Sequence, residues 1–223
     1  MIPKIIHQIF HNWGTDLKDV ELFKKSVATL KEKNPEFTHK LWSKEDSLKL
    51  IETKYPQYLQ FYKDLRHNIQ RGDFSKICIV HSEGGFYVDL DMHCIKSFKP
   101  LLNETLIIES NKHLVPKHNE FVQNDFLASE KGFRFWEVVL NECVKNYKVK
   151  SKVEVYDIWK GRFVLQTTGP RFLSRAVKKF IPKYKPYFIV WHKWRNELWK
   201  VLPRTDYYVE CFRSGSWLND TNS

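Results

Sequence analysis

Short runs of β-branched and aromatic residues alternate with amphipathic stretches along this chain. Residues 2–10 (IPKIIHQIF) read as a strand, and Asn12-Trp13-Gly14 as the loop after it. Val20, Phe23, Val27 and Leu30 recur at helical spacing, predicting a helix over 16–33 that Asn34-Pro35 stops. Residues 37–42 (FTHKLW) alternate as a second strand, and Ser43 with the early acids Glu45 and Asp46 reads as a helix N-cap. That helix runs to about residue 53, and another lies around 57–64. A long helix over 65–83 ends at Gly84-Gly85, and residues 86–92 (FYVDLDM) read as one short strand. Residues 106–109 (LIIE) form another strand, after a turn near Pro100. Helices are predicted over 119–129, 132–147 and 171–180, with a basic loop at 148–152 and an aromatic, basic stretch over 181–204. Strands alternating with helices, without repeats, predict one α/β domain over 1–223.

Two aspartates in this pattern need a reason. In a strand, Asp89 and Asp91 share a face at about 6.5–7 Å between Cα atoms, while Val88 and Leu90 pack on the other. Like charges so placed repel and raise a pKa, and a divalent cation resolves the conflict. Carboxylates suit Mg²⁺ or Mn²⁺, whose shell is commonly completed by phosphate and water, so a phosphate or diphosphate substrate is implied. The plainer alternative has one aspartate capping a turn and the other facing solvent. In the helix before them, Leu65, Ile69, Ile77 and Val80 form one apolar stripe with Asp73 in its middle and Lys76 beside it. Either Asp73 and Lys76 are a simple i,i+3 pair, or both reach a polar cavity beside Asp89 and Asp91, with Arg71 adding positive charge.

Composition narrows the setting. The 223 residues are 42% hydrophobic and 28% charged, as in a globular chain that buries a real core. Lys and Arg outnumber Asp and Glu by 37 to 26, a net charge of +11 that favours anionic partners: nucleic acid, a membrane surface or phosphorylated small molecules. Cys78, Cys94, Cys143 and Cys211 show no zinc spacing and read as reduced thiols. No apolar run approaches the ~18 residues of a membrane span, and no signal peptide is recognised, so a cytoplasmic, soluble protein is expected.

Arg71-Gly72-Asp73-Phe74-Ser75-Lys76 followed by GGFYVDLD resembles the signature of the DxD-containing glycosyltransferases of family 32. These are related to fungal α-1,6-mannosyltransferases and, more distantly, to the clostridial glucosylating toxins. The opening IPKIIHQIF, FTHKLW, Thr167-Thr168-Gly169-Pro170 and the C-terminal SGSW follow in the family's order, so the resemblance covers nearly the whole chain. It implies a GT-A-like fold with a central mixed sheet flanked by helices, and a Mn²⁺-assisted (or Mg²⁺-assisted), retaining transfer of a hexose from a UDP- or GDP-linked sugar to a glycan or lipid acceptor. By the same resemblance, Asp91 is the principal metal ligand, and Asp89 assists it while contacting the donor's ribose or sugar. Asp73 binds hydroxyls of the transferred sugar, with Lys76 assisting. Phe10 faces the nucleotide base, Ser216 and Trp217 close over the diphosphate, and Asp125 lies near the acceptor or caps a helix. Lys76 stands where the family has Arg, Phe10 where it has Trp, and Cys211-Phe212 where it has a His.

Two other classes compete. A strand ending in DLDM also resembles haloacid-dehalogenase-type phosphatases, with Asp89 as nucleophile, although His93 stands where that family has Thr or Val. A non-catalytic basic interaction protein accounts for the charge alone. The basic, aromatic segment after residue 181 reads as packed structure or as a surface touching an acceptor or a membrane, and no nucleic-acid partner is expected.

Overall fold

The structure is a computed structural model and describes residues 1–11, 17–110, 122–153, 160–184, 187–190 and 208–211. In chain order its elements are β1 (Ile5–Ile9), α1 (Leu17–Lys33), β2 (Thr38–Trp42), α2 (Lys44–Lys54), α3 (Leu59–Asp64), α4 (Asn68–Glu83), β3 (Gly85–Val88) and β4 (Met92–Cys94). There follow β5 (Leu106–Ser110), β6 (Val122–Ser129), α5 (Arg134–Val153), α6 (Lys160–Thr167), α7 (Pro170–Tyr184), β7 (Tyr187–Val190) and β8 (Val209–Cys211). Six strands make a mixed sheet in the order β2-β1-β3-β6-β5-β7, and β4 and β8 form a separate two-stranded ribbon.

The period-2 pattern assigns side chains to the two faces of this sheet. Tyr87, Leu127 and Ile108 point to one face and pack with residues of α2 and α4–α7. Phe86, Val88, Phe126, Ala128 and Ile107 point to the other, where they meet Leu30 of α1 and Met92 and Val209 of the ribbon. Rings dominate this second layer: Phe98 stacks on Phe86 at 5.1 Å and meets Phe126 edge-on at 5.2 Å. Each fully buried ring contributes about 1.5–3 kcal/mol. Cys78, Cys94 and Cys143 are free thiols inside these layers.

Four expectations need correction. The long helix begins at Asn68 rather than residue 65, because His67 caps it and exchanges backbone and side-chain bonds with Gln70. Residues 122–129 form the strand β6, not a helix; lying between β3 and β5, β6 is buried on both faces and carries Gln123, Asn124 and Asp125 in a row, so it lacks the alternation that marks a one-sided strand. The basic run at 148–152 continues α5, since lysine is a good helix former. Finally, FYVDLDM is not one strand. β3 stops at Val88, Asp89-Leu90-Asp91 turn the chain through a bond from Met92 N to Asp89 O (3.2 Å), and Met92 enters the ribbon. The two aspartates are thus presented by a turn.

Gly84 and Gly85 end α4 and start β3 at positive φ (69° and 89°). A Cβ on Gly85 would lie 2.5 Å from the carbonyl oxygen of Ile5, where β3 pairs with β1. Gly85→Ala is therefore expected to lower stability by about 2 kcal/mol or more, read as a shifted urea midpoint; a parental midpoint would show that β1 yields freely.

His7 on β1 is held neutral. Trp42 Nε1–H donates to its Nδ1 (3.1 Å), so Nε2 carries the proton and donates to the carbonyl of Gly84 (2.9 Å). Burial pulls its pKa down to about 4, and burial with the nearby Lys44 does the same to His11. Since the unfolded chain protonates both near pH 6.5, their contribution is intact above that pH and drains as pH falls from 6.5 towards 4. The loss is on the order of 3 kcal/mol for each. Denaturant midpoints measured across this window should fall steadily, with a shallower slope in His11→Gln.

Candidate active site

The structure gathers several polar side chains where α4 meets the C-terminal end of β3. Asp73 and Lys76 lie one helical turn apart on the buried face of α4, each 4% exposed. Lys76 Nζ lies 3.4 Å from Asp73 Oδ1 and 3.1 Å from Asp89 Oδ1. It also donates to the carbonyl of Asn124 (3.3 Å) and sits 4.9 Å over the ring of Tyr87. Three acceptors match the three protons of an ammonium. One cation thus bridges a helix carboxylate and a turn carboxylate.

Asp73 is satisfied on both oxygens. Asn124 Nδ2 of β6 donates to Oδ1 (2.9 Å), and Thr168 Oγ1, in the turn between α6 and α7, donates to Oδ2 (2.9 Å). Burial pushes its carboxyl above the usual range, opposed by Lys76 and Thr168. Burial also disfavours the charge on Lys76, but Asp89, Asp73 and Asp125 outweigh it and hold the ammonium above its ordinary value. One carboxyl oxygen from each of two aspartates therefore stands beside a lysine whose charged form is favoured.

Asp89 is fixed from three sides. Its N–H donates to the carbonyl of Asp125 (2.8 Å), its carbonyl accepts from Gln8 Nε2 (3.4 Å), and the Tyr87 hydroxyl donates to Oδ1 (2.5 Å). Both side-chain bonds fall on Oδ1, and the side chain keeps 27% of its surface exposed. Asp91 follows two residues later, half-buried, on the other shoulder of the turn. Among the described residues no group of three or more His, Cys, Asp or Glu could hold a metal unaided. Two hard carboxylates flanking a turn, with other positions left to a ligand's oxygens and water, fit Mg²⁺ or Mn²⁺.

The remaining expected residues divide. Asp125 lies on β6 beside Asn124, close enough for its charge to act on Lys76. Phe10 follows β1 at the same end of the sheet, since β1 and β3 are parallel, and meets Phe23 edge-on at 6.2 Å. Arg71 turns elsewhere: its guanidinium donates to Asn68 Oδ1 (2.9 Å) and to the carbonyls of Lys63 (3.2 Å) and Leu65 (2.6 Å), capping α3. Ser216 and Trp217 lie outside the described residues. The structure adds Tyr87, Gln8 and Thr168. Tyr87 had a local signal, the alternation that sets it opposite Phe86. Thr168, 95 positions from Asp73, had only its place in the TTGP run.

Ligands of open α/β sheets bind beyond the carboxyl ends of the strands, and this cluster lies there on β1 and β3. Residues 20–110, which include Asp73, Lys76, Asp89 and Asp91, match the model of a family described as a glycosyltransferase sugar-binding region containing a DXD motif. The chain is 26% identical, over 97% of its length, to inositol phosphoceramide mannosyltransferase 3 of Schizosaccharomyces pombe, of which it covers 56%. Over 81% of its length it is 28% identical to mannosyl phosphorylinositol ceramide synthase CSH1 of Saccharomyces cerevisiae, covering 43% of that protein. The chain thus spans about half the length of the curated relatives it matches. Among solved structures, the PaToxG glycosyltransferase aligns with a TM-score of 0.58 at 18% identity, over 81% of this chain and 70% of that one. The likeness shows the fold, and the expected GT-A-like arrangement holds.

Proposed function

We propose, since residues 20–110 match the family model of DXD-containing glycosyltransferase sugar-binding regions, that this chain works as one domain over 1–223, moving a hexose from a nucleotide sugar to a glycan or lipid acceptor. The observation that carries the reading is the Asp73–Lys76–Asp89 cluster at the strand ends, in which Asp73 and Lys76 are buried while Asp89 and the nearby Asp91 keep part of their surface exposed.

Asp73 is the residue for the sugar. Asn124 and Thr168 hold its two oxygens in place, and Oδ2, which accepts from Thr168 but not from Lys76, keeps a lone pair for a hexose hydroxyl. Lys76 bridges the carboxyl groups of Asp73 and Asp89, so neither must reorganise as charge develops. Asp89 and Asp91 would hold the divalent cation, which when bound supplies Lewis-acid stabilisation to the leaving diphosphate. Phe10, at the same sheet end, offers a ring to the base. By the family resemblance Asp125, on β6 beside Asn124, lies near the acceptor and the transfer is retaining, which the first-formed anomer of the product would report. The names of the relatives make mannose and a phosphoinositol-bearing ceramide the first donor and acceptor to try.

The test is nucleoside diphosphate release from a panel of UDP- and GDP-hexoses with Mn²⁺. One donor should break down slowly alone and faster once phosphoinositol ceramide is added. If no donor is consumed under either condition, the reading fails.

A further inference from the structure

The basic surplus of this chain is concentrated in one layer. Residues 141–153 of α5, with α6 and α7, carry eleven Lys and Arg against one acid, Glu142, whereas the whole chain has a net charge of +11. α6 and α7 contain no acidic residue at all. Contacts place the described members on one surface. Arg175 Nη2 of α7 donates to Asn146 Oδ1 of α5 (3.3 Å) and to the Gln166 carbonyl of α6 (2.6 Å), and Lys179 pairs with Glu142 (3.0 Å). On α5, Glu142, Lys145, Asn146 and Val149 follow the i, i+3, i+4, i+7 spacing of a single face. On α6, Arg162 stands one turn before Gln166. Lys145, Arg162, Arg175, Lys179 and Lys183 are exposed, and Val149 shows 63% of its surface on the same face.

This surface begins at the site. Thr168, which holds Asp73, is the turn from which α7 departs. The rings beneath the layer point inward: Phe163, Phe172 and Tyr147 are buried. Single-stranded nucleic acid needs exposed rings for stacking, and no such ring is exposed on the described part of this face. A broad cationic surface with an exposed aliphatic side chain instead complements a bilayer bearing anionic headgroups.

We propose that the face built by α5, α6 and α7 docks the protein on an anionic lipid surface, bringing the Thr168 end of α7, and with it the Asp73 cluster, to the membrane where a lipid acceptor lies. The proposal rests on the lipid-acceptor reading only for its choice of occupant. Its binding test needs neither donor nor acceptor. The parental protein should co-sediment with phosphatidylcholine vesicles containing phosphatidylserine, bind pure phosphatidylcholine at least tenfold more weakly, and lose affinity as salt rises. Lys145→Glu/Arg162→Glu/Lys179→Glu should weaken binding to the anionic vesicles by at least about 100-fold, at about tenfold or less per cation. Nucleoside diphosphate release from the donor alone should be unchanged in that variant, since none of the three residues touches the Asp73 cluster. Equal binding to both vesicle types, a triple variant that binds like the parent, or tighter binding to single-stranded RNA than to anionic vesicles would each overturn the docking face. If the anionic vesicles bind as expected but no donor is ever consumed, the docking face stands and the transferase reading falls.

Discussion

Asp91→Asn protein is expected to transfer sugar about 10²–10³-fold more slowly than the parent while unfolding at the same temperature. The two halves of this expectation have separate physical grounds. Asp91 is half-buried on the shoulder of a turn, outside both hydrophobic layers, and Asn keeps its size and turn-forming tendency. The fold therefore loses little. In the proposed chemistry Asp91 supplies half of the negative charge available to a cation at the diphosphate, and that contact matters most as the leaving group separates. Thermal unfolding distinguishes the two halves directly. Mn²⁺ with UDP or GDP should stabilise the parent, by about 2.7 kcal/mol at a hundred times the dissociation constant, and leave Asp91→Asn almost unmoved. Asp89→Asn is a poorer probe, because Asp89 also anchors Lys76 and Tyr87. A parental rate in Asp91→Asn would end the proposal.

Lys76→Met should be the most damaging single change to stability, costing about 3–5 kcal/mol at neutral pH. The ammonium is buried between Asp73 and Asp89, and methionine removes the charge while roughly keeping the volume. Asp73 is then left buried with only the neutral donors Asn124 and Thr168. Its carboxyl, already pushed up by burial, rises further without the lysine. A folded pKa above the unfolded value favours the folded state only once the group is protonated, so the deficit of Lys76→Met should narrow as pH falls through Asp73's raised pKa. Urea midpoints at two pH values measure this. Asp73→Asn/Lys76→Met should cost less than the sum of the single changes, with a coupling of about 0.5–3 kcal/mol. Additive single effects would mean that the 3.4 Å approach carries no energy. Transfer should fall about 10²-fold or more in Lys76→Met, and Lys76→Arg should retain part of it, because Arg restores the charge but spreads it over a planar fork.

How much of this was legible differs from residue to residue. Asp73 announced itself as a carboxylate in an apolar helical stripe, and its burial follows from that stripe. Asp89 and Asp91 were visible as a pair, but the strand assumed for them ends at Val88, because Asp89's carbonyl is taken by Met92 N across the turn. Asn124 stood in a segment read as helix. Its partners lie 48 and 51 positions away, so nothing nearby revealed that β6 is a central strand. Arg71 was expected at the site on sequence proximity alone, and the open carbonyls at the end of α3 claim it.

The sequence by itself determined the alternation of strands and helices, the Gly84-Gly85 stop at positive φ and the presence of three aspartates and a lysine within nineteen positions of α4, β3 and the turn (residues 73–91). These are local matters, set by side-chain periodicity and backbone sterics. Only the tertiary structure decided that Thr168 and Asn124 meet the two oxygens of Asp73, and that Arg175 and Lys179 of α7 meet α5 and α6. Such meetings depend on how distant segments pack and close loops against one another, and no local pattern records that outcome.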